Sequence, residues 1–295
     1  MKEPLKFGYP LLVSGYSNLL IQSGDRYVLR IFNSVSSVGL YSFGYNIARI
    51  IEVMLLMPLS FSSTPTIRKL ESEPSEQKRF LRKSATFSYI LVIFMALGIS
   101  MFSKDIIVLL ARQKEFWQSW IIVPFIAFSY AQHTLSLFLG WGMGMKNKPY
   151  HISGILLVSA AVNLGLNFAF VPYWGILGAA FATLISYIVW NGLKMYYSAK
   201  FYELHFDLKR LFYITNIGVG LYVLSLFVTT EINIWSDISI KALILFAYPL
   251  IFFTTNFFTE GEKGYMKKVW GQIRLIGIMG IMKKIRGENI KACKE

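Results

Sequence analysis

One cysteine, Cys293, stands in 295 residues. That excludes a disulfide within one chain and any cysteine-based metal site. Histidine is nearly as scarce: His133, His151 and His205 are scattered, and no metal is expected. Charge is thin as well. Charged residues make up 16% of the chain, against about 25% in soluble domains, which argues against an ordinary soluble fold. The opening MKEPLKFG lacks the charged, apolar, small-residue order of a cleavable signal, so the first apolar stretch is expected to be an uncleaved anchor. No GxxxxGK[ST] loop occurs, so direct ATP hydrolysis is not expected.

What the chain has instead is apolar length. Hydrophobic residues reach 55% and mean hydropathy is +0.49. They fall into blocks of roughly 17 to 23 residues, enough to cross a hydrocarbon core of about 30 Å. Lipid offers no water to backbone N–H and C=O groups, so each block must be helical. Eight spans are expected, at 9–30, 38–59, 86–102, 117–140, 151–171, 177–197, 211–229 and 238–258. The fold class is an all-α integral membrane protein of about eight transmembrane helices.

A net charge of +14 invites a nucleic-acid partner, but the placement of the charge excludes one. Most of the 30 Lys and Arg collect in alternate loops and in the tail after Thr259. The exceptions are Arg26, Arg30, Lys104, Arg112, Lys114 and Lys241 on the opposite side, and Arg49 inside a span. The positive-inside rule then predicts a multi-pass protein of the cytoplasmic membrane with both termini in the cytoplasm. The even span count agrees. In the tail, basic and apolar residues interleave over Lys267 to Arg286. That pattern suits either an interfacial helix on anionic membrane lipids or a solvated tail that only enforces topology. The charged run Arg68 to Lys83 reads as a short surface connector.

Charges at mid-bilayer depth cost about 2.5 to 3.5 kcal/mol each, so they tend to face other helices or water. Read at helical spacing, four polar stripes emerge: Ser14, Asn18, Gln22 and Asp25; Tyr41, Tyr45, Arg49 and Glu52; Ser129, His133, Ser136 and Gly140; Ser159, Asn163 and Asn167. For Asn163, Asn167 and His133, helix-to-helix hydrogen bonding is the simpler reading. Arg49 and Glu52, spaced i, i+3, can pair on their own helix or face a hydrated cavity; the cavity is the expectation here. The run Asn163 to Ser186, NLGLNFAFVPYWGILGAAFATLIS, joins two spans through a short loop with Pro172, Gly175 and Gly178. Gly178 and Ala182 have small-xxx-small spacing, which lets backbones approach. Pro58, Pro124 and Pro249 can each bend a helix.

These residues resemble a known family. LKFGYPLLVSG (Leu5 to Gly15), SGDRYVLR with VGLYSFGYNIA (Ser23 to Arg30, Val38 to Ala48), the GMGMKNKPY hairpin (Gly142 to Tyr150) and the Asn163 to Ser186 run are similar to the C-terminal half of Wzx-like polysaccharide flippases. That family lies within the superfamily of MATE drug exporters and lipid II flippases. The resemblance covers about residues 5 to 197. It implies a six-helix lobe of a MATE-like fold at 1–197, two further helices at 198–258 and a basic tail at 259–295. Family members have two such lobes. Met1 falls where the second begins, so the resemblance implies a fragment or split-gene product that needs a separate N-terminal lobe or a second copy.

The implied substrate is a lipid-linked oligosaccharide, a polyprenyl pyrophosphate glycan for capsule or lipopolysaccharide. The implied activity is translocation by alternating access, not enzymatic catalysis. Arg49 is expected to contact pyrophosphate or an acidic sugar, because guanidinium forks suit phosphate oxygens. Arg26 and Arg30 are second, near the outer mouth. Asp25 and Glu52 either neutralise these arginines or carry a coupling proton or sodium ion. Asn18, Gln22 and Tyr45 are candidates for sugar hydroxyls. No cofactor is expected. The rivals are a drug or cation antiporter of the same fold, a non-transporting membrane assembly partner and, with only short outer loops and scattered acids to support it, a membrane glycosyltransferase or polymerase.

Overall fold

The structure, a computed structural model, describes residues 2–146, 148–228, 234–255, 257, 258, 262 and 264. The proposed interfacial helix at Lys267 to Arg286 and Cys293 lie outside the described residues. All described elements are helical: α1 Lys2–Phe32, α2 Val35–Ala48, a π turn Glu52–Leu56, α3 Met57–Lys69, α4 Pro74–Leu110, a 3-10 turn Lys114–Ile122, α5 Val123–Leu139, α6 Trp141–Met145, α7 Pro149–Tyr202, α8 Leu208–Val228 and α9 Ile234–Thr254. By contact the chain forms two compact units, residues 1–245 and 246–295. The packing that follows is within the first.

Among the described residues, six helical stretches are long and apolar enough to cross a bilayer: Val35–Lys69, Pro74–Leu110, Lys114–Met145, Pro149–Tyr202, Leu208–Val228 and Trp235–Thr254. α7 is continuous only by label. Gly175 breaks it with φ +54° and ψ −128°, so it is two limbs, 149–174 and 176–202, each long enough to span. α1, with 31 residues, is not among the six because Asn18, Gln22 and several Ser and Gly, followed by Asp25 and Arg26, dilute its apolar run. With α7 counted as two limbs and α1 included, the eight expected rods are present as helices.

The hairpin in α7 depends on its glycines. Gly175 occupies a left-handed φ that side chains rarely adopt. A Cβ on Gly178 would stand 2.6 Å from the Phe170 carbonyl carbon and oxygen, so the limbs meet backbone to backbone only because that position is bare. Ala182 is fully buried four residues on. Proline marks the first turn of α4, α5 and α7, where its missing N–H has no helical partner to lose. Ser34 caps α2 by accepting from the Ser37 N–H at 3.2 Å.

Several boundaries differ from the sequence reading, for one physical reason: helices do not stop at the bilayer surface. Most of the expected connector Arg68 to Lys83 is helix, and only residues 70–73 lie between α3 and α4. α4, at 37 residues, runs about 55 Å and projects past the hydrocarbon. Gln77 makes this possible: fully buried, its amide donates to the Ile67 carbonyl at 2.7 Å and satisfies a C-terminal carbonyl of α3. Tyr202 in turn donates to Gln77. Lys194, read from sequence as a loop charge, is buried in the second limb of α7. Its ammonium donates to the Ser136 carbonyl at 3.1 Å near the C-terminus of α5, the negative end of that helix. Lys241, read as an outer loop charge, is inside α9, paired with Asp105 at 2.7 Å and Asp237 at 2.6 Å.

α1 packs along α7, α5 along α4 and α7, and α8 against α4. One apolar core joins Ile21 of α1 and Met143 of α6 to Ile155, Leu156, Ala160, Tyr187 and Trp190 of α7.

Candidate functional site

α1, α2 and both limbs of α7 converge on one carboxylate. Asp25 is fully buried. Its Oδ2 accepts from the Tyr41 hydroxyl at 2.5 Å and the Thr183 hydroxyl at 2.8 Å. Its Oδ1 accepts from the Asn167 amide at 3.1 Å. The donors come from α2 and from the two limbs of α7, and the tight hairpin at Gly175 is what brings Asn167 and Thr183 to Asp25 together. Gly24 lies beside Asn163: a Cβ there would stand 3.9 Å from Asn163 Oδ1, in ordinary contact. Asn167 also donates to the Asn163 carbonyl at 2.9 Å and Oδ1 at 3.3 Å. Asn163 Nδ2 and Asn167 Oδ1 remain buried without a partner, although buried amide atoms are nearly always satisfied. No cluster of three His, Cys, Asp or Glu occurs among the described residues. The centre is one carboxylate ringed by neutral amide and hydroxyl groups.

Arg26 lies beside Asp25 in sequence but turns to α2. Its Nε donates to Ser42 Oγ at 3.0 Å, one terminal nitrogen donates to the Gln22 carbonyl at 2.7 Å, and its plane sits 4.8 Å from the centre of the Tyr45 ring. Among the described residues it makes no ion pair with Asp25. Tyr45 is buried between Tyr41 and Tyr130. Asn18 and Gln22 are half-buried on α1 and bonded to each other at 3.4 Å. Arg30 is exposed one turn beyond Arg26.

Arg49 closes α2, where regular geometry gives way to the π turn at Glu52–Leu56. Its Nε is 3.1 Å from Glu52 Oε2; the Arg49 side chain is 52% exposed and that of Glu52 only 13%. Glu52 is thus tucked in, within electrostatic reach of Tyr45 and Tyr130, while the guanidinium faces outward. Pro58 follows at once and withholds an N–H. Irregular turns of this kind often accompany function. α1 and α2 are antiparallel and joined by residues 33 and 34, so Arg30, Arg26 and Arg49 stand at increasing depth from that turn. Arg49 lies 14 positions along α2, about 21 Å at 1.5 Å per residue.

Sequence reasoning put Asp25, Tyr41, Asn163 and Asn167 on stripes but did not foresee that three stripes meet at Asp25. Thr183 was not singled out; its signal was its place directly after Ala182 in the run Asn163 to Ser186. A second network was missed: Gln132 donates to the Tyr89 hydroxyl at 2.7 Å, Tyr89 and Thr215 share a bond of 2.8 Å, and Asn191 donates to Gln132 Oε1 at 2.9 Å. It ties α4, α5, α7 and α8 together. His133 is half-buried, with its ring against Tyr187 and Trp190. Pro172 is exposed at the hairpin.

Comparison with known proteins follows the same residues. Residues 1–71, which hold α1, α2 and α3, match the family described as polysaccharide biosynthesis protein. The resemblance to polysaccharide flippases is borne out. A probable low-salt glycan biosynthesis flippase, Agl15 of Haloferax volcanii, is 25% identical over 191 residues, covering 63% of this chain and 40% of that protein. Among solved structures, lipid II flippase MurJ in an inward closed conformation superposes with a TM-score of 0.65 at 15% identity, over 85% of this chain and 53% of that one. At that identity the likeness is one of fold, and the fold is that of a multi-pass membrane protein. The chain spans about half or less of the length of these relatives. Both are named as flippases, which agrees with the expectation that the chain is not an enzyme.

Proposed function

We propose that this lobe forms one wall of a flippase for a lipid-linked oligosaccharide in the cytoplasmic membrane, acting with a second lobe that is either a further part of the same protein or a separate chain. The observation that carries the reading is Arg49: a half-exposed guanidinium about 21 Å along a membrane-spanning helix, with Glu52 as its ion-pair partner. A charge at such depth in lipid is costly, so a hydrated cleft is its natural surrounding. Such a cleft would lower the barrier for an anionic glycan head. Arg30, Arg26 and Arg49 then form a ladder for pyrophosphate or acidic sugar, and Asn18 and Gln22 offer amides to sugar hydroxyls. Alternating access would move the cleft from face to face.

Asp25 is the second part of the proposal. One buried carboxylate, with Asn167 Oδ1 unpartnered and Thr183 Oγ1 bonded to it, can balance a single positive charge and no more. That favours coupling to one proton or one sodium ion over a divalent ion, which takes more charged oxygen ligands. The test is transport of a fluorescent lipid-linked oligosaccharide by the complete two-lobe transporter in vesicles. Wild type should flip it, and Arg49→Ala should lose at least tenfold in rate at equal protein level. Wild-type transport by Arg49→Ala removes the proposal. Replacing external sodium by choline at constant pH separates the two ions: a lost rate assigns sodium, an unchanged rate a proton.

A further inference from the structure

One end of the bundle carries Lys146, Lys148 and Lys200, all exposed, and among the described residues no carboxylate pairs with them. Two apolar furrows begin there. The larger, of about 430 Å³, runs between the limbs of α7 and is walled by Tyr150, Ile155, Val158, Leu193 and Tyr197. The smaller, of about 220 Å³, runs between α1 and the start of α7 and is walled by Leu11, Gly144, Ile152 and the stem of Lys148. Lys148 lies between them. Its ammonium is 5.7 Å from the centre of the Phe201 ring, and Phe201 stacks on Tyr197 of the larger furrow at 5.9 Å. His151 packs edge-on against both rings, at 4.8 and 5.6 Å. Neither furrow is lined by Asp25 or Arg49, and the flippase reading makes no use of them.

We propose that an anionic, two-chain phospholipid of the surrounding bilayer docks here, with its phosphate on Lys148 and one acyl chain in each furrow. The charge calls for an anion: three cations without a carboxylate, on a surface that membrane lipid reaches. The shape calls for two chains, because two apolar channels leave a single cation on different sides of α7. A polyprenyl phosphate has one chain and would fill one furrow. Such a lipid fixes the start of α7 against α1 and against the second limb, so it braces the hairpin that holds Asn167 and Thr183 on Asp25. Basic recesses between membrane helices recognise acidic headgroups in this way, at a gain per lysine that corresponds to about fivefold in binding.

The test is native mass spectrometry of the purified full chain, released from detergent and titrated with phosphatidylglycerol, phosphatidylcholine of the same chains, lyso-phosphatidylglycerol and polyprenyl phosphate. Phosphatidylglycerol should be retained several-fold more than phosphatidylcholine. Lys148→Ala should lower phosphatidylglycerol retention about fivefold, and the exposed Lys69→Ala should not. Gly154→Leu fills the larger furrow and Gly144→Leu the smaller; a Cβ at either position meets no atom within 4 Å, so both variants should fold. Each should bring phosphatidylglycerol down to the level of its lyso form. Equal retention of phosphatidylglycerol and phosphatidylcholine, or an unchanged Lys148→Ala, overturns the site. Displacement of phosphatidylglycerol by equimolar polyprenyl phosphate also overturns it, by assigning the furrows to a single-chain lipid.

Discussion

Asp25 and Glu52 are both carboxylates inside expected spans, each with an arginine close in sequence, yet the fold treats them oppositely. Asp25 ignores its arginine for ion pairing and takes three neutral donors from three other helical segments. Among the described residues the Glu52 side chain bonds only to its own arginine. The first acid is a junction of tertiary structure. The second is a local counter-charge for a guanidinium that faces outward. Full burial of Asp25 and half-exposure of the arginine that Glu52 serves separate a group that the lobe needs to hold together from a group that it can spare for work.

The largest expected effect tests the junction. Asp25→Ala removes the acceptor of three buried bonds, leaving the Tyr41 hydroxyl without its partner and Asn167 and Thr183 with only the Asn163 and Ala179 groups of their own limbs, at about 1 kcal/mol net for each bond lost and about 1 to 3 kcal/mol for the orphaned hydroxyl. A net loss of about 3 kcal/mol or more is expected, read as a lowered melting temperature in detergent. Arg49→Ala should cost at most about 0.5 kcal/mol, since the pair is i, i+3 with an arginine more than half exposed. Its loss should appear in transport instead. If both variants melted equally early, the contrast between the two acids would fail. A third variant sharpens it. Thr183→Val removes one of three donors to Asp25 at nearly constant shape and should cost about 1 kcal/mol, because Tyr41 and Asn167 still hold the carboxylate.

How far the sequence reveals these roles depends on which dimension carries them. Helical spacing is one-dimensional, and it suffices for the spans, for the stripe that ends in Asp25 and for the pairing of Arg49 with Glu52. Gly175 and Gly178 are legible for a similar reason: a bare Cα next to proline in a short apolar gap has few uses besides a tight reversal. The meeting of Asp25 with Thr183 is 158 positions apart in the chain and has no periodic trace. Lys194 and Lys241 were misread because charge was assigned to loops by rule. The rule overlooks carbonyls at helix ends and carboxylates of neighbouring helices that can receive an ammonium, as Ser136 and Asp105 do. The ends of helices were misplaced wherever polar residues continue a helix beyond the hydrocarbon, as in α4.

The smallest effect distinguishes a counter-charge from a coupling group. Glu52→Gln keeps the shape of the side chain and its hydrogen-bonding capacity, and removes only the negative charge. A local ion pair of this spacing contributes about 0.3 to 0.5 kcal/mol, so the melting temperature should scarcely move. If Glu52 merely balances Arg49, the variant leaves the guanidinium more available, and binding of an anionic pyrophosphate headgroup should tighten slightly while ion dependence stays as in wild type. If Glu52 carried the coupling ion, the same substitution would abolish the response of transport to the ion gradient. Asp25 predicts the reverse pattern, since Asp25→Asn removes the charge at the junction and should abolish that response. Measuring gradient dependence in these two isosteric variants, normalised to the amount of folded protein in each, therefore decides between the acids.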